Sequence, residues 1–256
     1  MPHILLDNKP LYYAAHLDAA DSAAPPLVLV HGAGGNRYHW PPGLRRLPGY
    51  DVYALDLPGH GKSPGPGCQS IEDYVQVVYD WAQALDLPPF VLAGHSMGGA
   101  IAQTFASLHP ERLRGMILVA TGARLRVHPN ILDGIRTDME AVGRLLVEWA
   151  YGPRATPSQK RQFAKQFNMV DEDVMYHDWA ACNAFDIRDK LPQITVPTLV
   201  VAGSMDQLTP EKYGRYMAEN LPHADFALIE GAGHMLTQEQ PQLLINAIRG
   251  FLAQLR

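Results

Sequence analysis

Two hydrophobic patterns alternate along this chain. Short and nearly unbroken apolar runs occur at residues 26–30, 51–55, 89–93, 115–120, 196–203 and 225–229. Where such a run lacks polar alternation, it predicts a strand covered on both faces. Between the runs, apolar residues fall at helical spacing. Tyr74, Val77, Val78, Trp81 and Leu85 follow Ser70 with Asp73 three residues on, predicting a capped helix over 71–85. Residues 100–108 predict a second helix, Thr209-Pro210 starts another that carries Tyr213 and Met217, and Leu243, Leu244, Ile248, Phe251 and Leu252 define the last. Strands alternating with helices at this interval predict an α/β protein whose mostly parallel sheet has helices on both faces. At the start, residues 3–6 and 11–17 flank Asp7-Asn8-Lys9-Pro10, the chemistry of an edge hairpin.

From residue 122 to 194 the alternation stops. Ile131, Ile135, Met139, Val142, Leu146 and Trp149 form one helical stripe, Phe163 and Phe167 another, and Val174, Met175, Trp179 and Cys182 a weaker third. This predicts a helical cap over 122–194, inserted into a core formed by 1–121 and 195–256. Taken singly, each bulky cap residue is most simply read as packing between cap and sheet. As a set, Met139, Leu146, Trp149, Phe163, Phe167 and Trp179 are the candidates to line a substrate pocket, because an insertion at this point should lie over the sheet edge.

Composition narrows the reading. A chain of 256 residues, 47% hydrophobic, can bury one large core with an insertion. Its formal net charge of -5 leaves no basic footprint, so nucleic acid is not an expected partner. Cys68 and Cys182 are the two cysteines, and they are far apart in sequence; free thiols in a reducing cytosol are expected. The first residues lack the pattern of a secretory signal, and no stretch approaches the roughly 20 apolar residues of a membrane helix. A cytoplasmic protein that does not engage membranes is the expectation.

The chemistry is carried by Gly94-His95-Ser96-Met97-Gly98, which joins the run at 89–93 to the helix that follows. A Gly-x-Ser-x-Gly turn between a buried strand and a helix is a nucleophile elbow: the serine takes a strained conformation at the strand's C-terminal edge, and the glycines remove side chains that would collide. Ser96 is the candidate nucleophile. It needs a base to take its proton and an acid to hold that base. Asp206 and His234 each follow the end of a predicted strand, where the loops of a parallel sheet gather. Among 11 histidines, His95 should point away from the nucleophile and His109 stands in a helix-ending turn. Asp206 has a competing reading as a capping carboxylate near Thr209. The strand at 116–120 ends in Thr121-Gly122 and supplies no alternative acid. A tetrahedral intermediate requires two backbone donors. One is the amide of Met97; the other comes from His31-Gly32-Ala33-Gly34-Gly35, with Ala33 the candidate and Gly34 the alternative. That glycine-rich loop lacks the G-x-G-x-x-G dinucleotide pattern.

These segments, together with Asp56-Leu57-Pro58-Gly59-His60-Gly61-Lys62-Ser63 and the stretches 203–206 and 231–234, resemble the α/β-hydrolase superfamily across nearly the whole chain. The resemblance is to its serine-esterase and cofactor-free haloperoxidase-like branch, which carries a helical cap between the sixth and seventh strands. It implies a Ser96-Asp206-His234 triad with no metal and no organic cofactor. Haloalkane dehalogenases and epoxide hydrolases of the superfamily use an aspartate nucleophile, so Ser96 implies an acyl-enzyme. Arg124, Arg126, Arg136, Arg144, Arg154, Arg161 and Arg188 are scattered along the cap, so a polyanionic substrate is not expected, although a single carboxylate could be met. The expectation is a monomeric or homodimeric carboxylic ester hydrolase whose partner is a small to medium, largely apolar ester. A C-C bond hydrolase or lactonase on the same triad is the nearest alternative, and a ligand receptor that keeps the triad is the alternative from another class.

Overall fold

A computed structural model describes residues 2–19 and 24–255. Its centre is an eight-stranded sheet in the order β1-β2-β4-β3-β5-β6-β7-β8. The strands are β1 (His3–Leu6), β2 (Lys9–His16), β3 (Leu27–Val30), β4 (Val52–Leu55), β5 (Phe90–His95), β6 (Leu113–Val119), β7 (Thr198–Gly203) and β8 (Ala224–Ile229). At the N-terminal edge β1 pairs antiparallel with β2 and β2 antiparallel with β4, and the rest of the ladder is parallel. Asp7 and Asn8 both adopt positive φ (47° and 62°), the geometry of a tight hairpin turn for which these side chains are suited. The second hairpin strand begins at Lys9, two residues before the apolar run, because residues 9–12 pair with β1, while residues 13–16 pair with β4.

The helices are α1 (Pro42–Arg45), α2 (Ile71–Ala84), α3 (Met97–Leu108), α4 (Pro129–Thr137), α5 (Met139–Ala150), α6 (Pro157–Phe167), α7 (Glu172–Ala184), α8 (Glu211–Asn220), α9 (Leu236–Glu239) and α10 (Pro241–Gln254). Strand residues divide by parity between two cores. Val28, Val30, Leu92, Met116 and Leu118 pack under α2, α3 and α8 through Trp81, Ile101 and Met217. Leu27, Leu29, Val91, Ala93, Ile117 and Val119 pack under α1 and α10 through Leu44, Ile248 and Phe251. Truncating a fully buried aromatic such as Trp81 should cost about 3–5 kcal/mol. Among the described residues no helix is long and apolar enough to cross a membrane.

Between β6 and β7 lie α4 to α7 and no strand of the sheet. The stripe Ile131 to Trp149 is two helices instead of one. Asp138 breaks it, since its side chain accepts the amide of Ala141 and caps α5. Thr156 and Gln159 close a capping box on α6, and Asp171 caps α7. Ile131, Ile135, Val142, Leu146, Phe167 and Met175 form a separate small core among these helices.

The strand order positions the site. After β4 the chain crosses back over β3 to form β5, so the loops leaving β3 and β5 emerge side by side at the C-terminal edge. A crevice at such a reversal is where open α/β sheets bind ligands.

Candidate active site

Ser96 stands between β5 and α3 with φ 54° and ψ -115°, a conformation that costs a non-glycine residue about 1–3 kcal/mol. Neighbouring contacts hold it there. The Ser96 amide donates to Val119 O (3.0 Å), while Ser96 O accepts from Gly99 N (2.8 Å) and from Thr121 Oγ1 (2.8 Å). Glycine is required at two flanking positions: a Cβ on Gly94 would strike the Gly98 carbonyl, and one on Gly98 would strike the Val30 carbonyl. The dense packing of β3, β5 and α3 therefore enforces the elbow.

Asp206 and His234 follow β7 and β8. His234 Nδ1 lies 2.9 Å from Asp206 Oδ2, which fixes the Nδ1–H tautomer and leaves Nε2 as the basic nitrogen. Asp206 also accepts from the amides of Leu208 and Thr209 (2.8 Å each) at Oδ1 and from Thr209 Oγ1 (2.7 Å) at Oδ2. The one carboxylate thus closes the turn before α8, whose cap position is Pro210, and also contacts the His234 ring. Burial pushes its pKa up, but the charge of His234 and these hydrogen bonds outweigh burial and hold it below the usual carboxylate range. Among the described residues Ser96 Oγ has no hydrogen-bond partner, yet Ser96 and His234 line one cavity. Apo sites often tighten this contact only when substrate arrives.

Sequence reasoning missed three supports of the histidine loop. Thr209 Oγ1 lies 3.1 Å from His234 Nδ1 as well as on Asp206. His95 does turn away from the cavity: its Nε2–H donates to the His234 carbonyl (2.9 Å). Burial, together with the neighbouring His234, drops the His95 pKa to about 3, so it stays neutral and acts as a strut. Glu239 accepts the amides of Gly233 (3.0 Å) and Gly152 (2.9 Å), tying the His234 loop to the segment after α5. Its i+5 spacing from His234 is the only trace of this in the sequence.

Two features bear on the candidate oxyanion donors. Met97 opens α3, so its amide has no carbonyl within the helix to bond. A Cβ on Gly32 would lie 3.0 Å from Ser96 Cβ, so the loop carrying Ala33 passes directly beside Ser96. The Gly34 amide is engaged elsewhere, donating to Asp178 Oδ2 of α7 at 2.8 Å. Ala33 is left as the loop's candidate donor.

Asp178 is the group that sequence reasoning overlooked altogether. Fully buried, it accepts Gly34 N, His60 Nε2 (2.8 Å) and Tyr74 Oη (2.6 Å), and so binds α7 to the loop after β3, the loop after β4 and α2. The other nitrogen of His60 faces Pro58 O (3.0 Å), so both ring nitrogens meet acceptors and the imidazolium satisfies both. Burial pulls the His60 pKa down, and the charge and hydrogen bond of Asp178 more than reverse this, leaving it raised. His31, its ring centroid 4.9 Å from that of His60, is driven well below the ordinary value by burial and by that neighbour. The segment 56–63 is structural: Asp56 holds Arg37 and the Lys62 amide, and Ser63 Oγ donates to Asp56 O.

The cavity over Ser96 has a volume of about 320 Å³. Trp149 and Trp179 line it, as the cap stripe predicts. Met139, Leu146, Phe163 and Phe167 do not: Leu146 and Phe167 are buried in the cap's own core, and Met139 and Phe163 pack against that core. Helix rotation decides which side of each stripe faces the sheet, and spacing alone does not encode it. Leu125, Val127, Ile131, Leu208 and Tyr213 add to the cavity's apolar wall, and Arg126, His128 and Gln207 add polar groups. Cys182 also lines it, but burial pushes its thiol up, away from the reactive thiolate. Both cysteines are free.

Residues 25–241 match the alpha/beta hydrolase fold family, and the chain belongs to it. A pimeloyl-[acyl-carrier protein] methyl ester esterase of Yersinia pseudotuberculosis serotype O:1b is 30% identical over 243 residues, covering 88% of this chain and 92% of that protein. A putative carbamate hydrolase of Pseudomonas syringae pv. syringae is 28% identical over 247 residues, covering 90% and 94%. Among solved structures, a thermophilic esterase superposes with a TM-score of 0.87 at 28% identity, covering 99% of this chain and 97% of that one.

Proposed function

We propose that this protein is a serine carboxylic ester hydrolase with Ser96 as nucleophile, His234 as general base and Asp206 as its orienting acid. The observation that carries the reading is the shared cavity: strained Ser96 and His234 both face it, and His234 is held at Nδ1 by a buried carboxylate. Ser96 Oγ gives its proton to His234 Nε2 and attacks the ester carbonyl. The amides of Met97 and Ala33 receive the oxyanion, and the imidazolium rests against Asp206. Collapse breaks the C-O bond, and the alcohol departs with the proton from His234. Water, deprotonated by the same nitrogen, then releases the acid and restores Ser96. The esterases among the similar proteins support this reaction class.

The test is a panel of p-nitrophenyl esters graded by acyl chain length, assayed on wild type and Ser96→Ala. Sustained turnover that vanishes in Ser96→Ala is expected. A single burst of one product per protein, with no further release, would identify a ligand receptor instead.

A further inference from the structure

We infer that the mouth of the catalytic cavity is an anion subsite, and that the ester cleaved here carries a carboxylate remote from its scissile bond. This rests on the ester-hydrolase reading above. A second cavity of about 370 Å³, lined by Arg124, Arg126, Arg188, Lys212 and the rings of Tyr213 and Tyr216, adjoins the first. Arg126 and Tyr213 belong to both walls, so a ligand lying against Ser96 can extend between them.

The charges do not cancel. Arg188 clasps Asp186 with Nε and Nη2 (2.8 and 2.7 Å), and Arg124 Nε approaches the same carboxylate at 3.5 Å. Asp189 adds to the field on Arg188, and Glu211 is turned away onto Arg215 (2.6 Å). Arg126 and Lys212 have no ion-pair partner among the described residues; the Lys212 ammonium sits 5.9 Å from the Tyr213 ring centroid. A protein of net charge -5 therefore places one uncompensated cation, Arg126, on the wall of the cavity that holds Ser96, and a second, Lys212, on the wall of the adjoining one. In sequence these residues are far apart; the antiparallel bridge between Arg124 and Asp186 brings the two ends of the insertion together and gathers them. Two unpaired cations and two phenols suit one monoanion, and the apolar wall of Leu125, Val127 and Trp149 suits the chain that links it to the ester.

Monomethyl adipate and methyl hexanoate have the same backbone and differ only in the terminal carboxylate. Wild type should prefer monomethyl adipate in kcat/KM at low ionic strength, and salt should erode the preference. The ratio of the two kcat/KM values should fall about two- to fivefold in Arg126→Gln and in Lys212→Gln, as for exposed ion pairs, further in Arg126→Glu, and through KM. A ratio that all three variants leave at the wild-type value would overturn the subsite. Calorimetric titration of Ser96→Ala with both compounds separates this from the reaction itself. Tighter binding of monomethyl adipate, lost in Ser96→Ala/Arg126→Glu, supports the subsite even if no ester is turned over; equal binding of the two compounds refutes it.

Discussion

The molecule holds two buried aspartate-histidine pairs, nearly alike in length and opposite in placement. Asp206 and His234 meet at 2.9 Å on loops that leave neighbouring strands, and His234 keeps one nitrogen free toward a cavity. Asp178 and His60 meet at 2.8 Å across the junction of α7 with the sheet loops, and neither side chain has any exposed surface. The first pair has a spare valence and access to a ligand; the second has spent every donor and acceptor on holding the chain. An ion pair in a hydrolase is therefore no guide to its catalytic group until its remaining hydrogen bonds are counted. The second pair still serves the first, because the same Asp178 oxygen that meets His60 takes the Gly34 amide, next to Ala33.

The largest effects should come from the open pair. Ser96→Ala and His234→Ala should each lower kcat by about five to six orders of magnitude while the protein still folds, since the members act as a unit. Asp206→Asn should be milder, about four orders, by favouring the wrong tautomer. Near-wild-type turnover in Asp206→Asn would move the acid role to another carboxylate.

Asp178→Ala should do the reverse: it should cost about 3–5 kcal/mol of stability, the penalty for stranding a buried partner charge, read as a fall in the denaturant midpoint. Part of that loss should return in His60→Leu/Asp178→Leu, where no charge is left unpaired. If Asp178→Ala melted like wild type, the closed pair would not fasten the cap.

What the sequence made legible follows the same division. Ser96, Asp206 and His234 could be singled out as candidates because each lies just past a strand end, and the glycines around the elbow have a steric reason visible in their spacing. Asp178 could not. It is one acid on a helix with no motif around it, and His60 lies 118 residues away. Its meaning exists only after the cap has docked. The cap pocket was half legible for a related reason: the 3.6-residue stripes located the helices, but the rotation that turns Trp149 and Trp179 to the cavity and Leu146 and Phe167 into the cap is set by tertiary packing.

The loop after β3 lies beside Ser96 and bonds Asp178, and it tests the coupling of the two pairs. Ala33→Pro removes the candidate donor and should cost about a hundred- to a thousandfold in kcat, while Ala33→Ser keeps the amide and most of the rate. A melting curve on the proline variant separates loss of the donor from loss of the loop. Wild-type turnover in a folded Ala33→Pro would return the role to another amide.

Smaller still are the cap substitutions. Trp149→Ala and Trp179→Ala should shift preference toward longer or bulkier esters by about 1–3 kcal/mol in relative kcat/KM, with the shortest ester least affected. Leu146→Ala and Phe167→Ala should instead lower stability by about 2–5 kcal/mol and leave the rank order of substrates intact. A shift in selectivity from the second set would mean that the cap core and the pocket are not separate.

The smallest expected effect is also the one that separates the pairs without touching the chemistry, because they stabilise the fold in different pH windows. His60 has a raised pKa in the folded state, so its contribution is complete below the ordinary histidine value of about 6.5 and is lost as pH rises through the folded value. Asp206 has a lowered pKa, so its contribution is present above the ordinary aspartate value of about 3.9 and is lost as pH falls through the folded one. The groups facing His60 are Asp178, the His31 ring, Tyr74 and, further off, Asp56; His31 is already neutral there. Melting temperature should therefore decline as pH rises above about 6.5 and through the folded value, and His60→Gln, which cannot carry charge, should flatten that decline while lowering the plateau. Asp206→Asn should leave the alkaline limb as it is and alter the acid limb alone. An alkaline limb of wild-type slope in His60→Gln would show that the closed pair carries no proton of its own, and the contrast between a pair that holds charge for structure and one that holds it for reaction would fail.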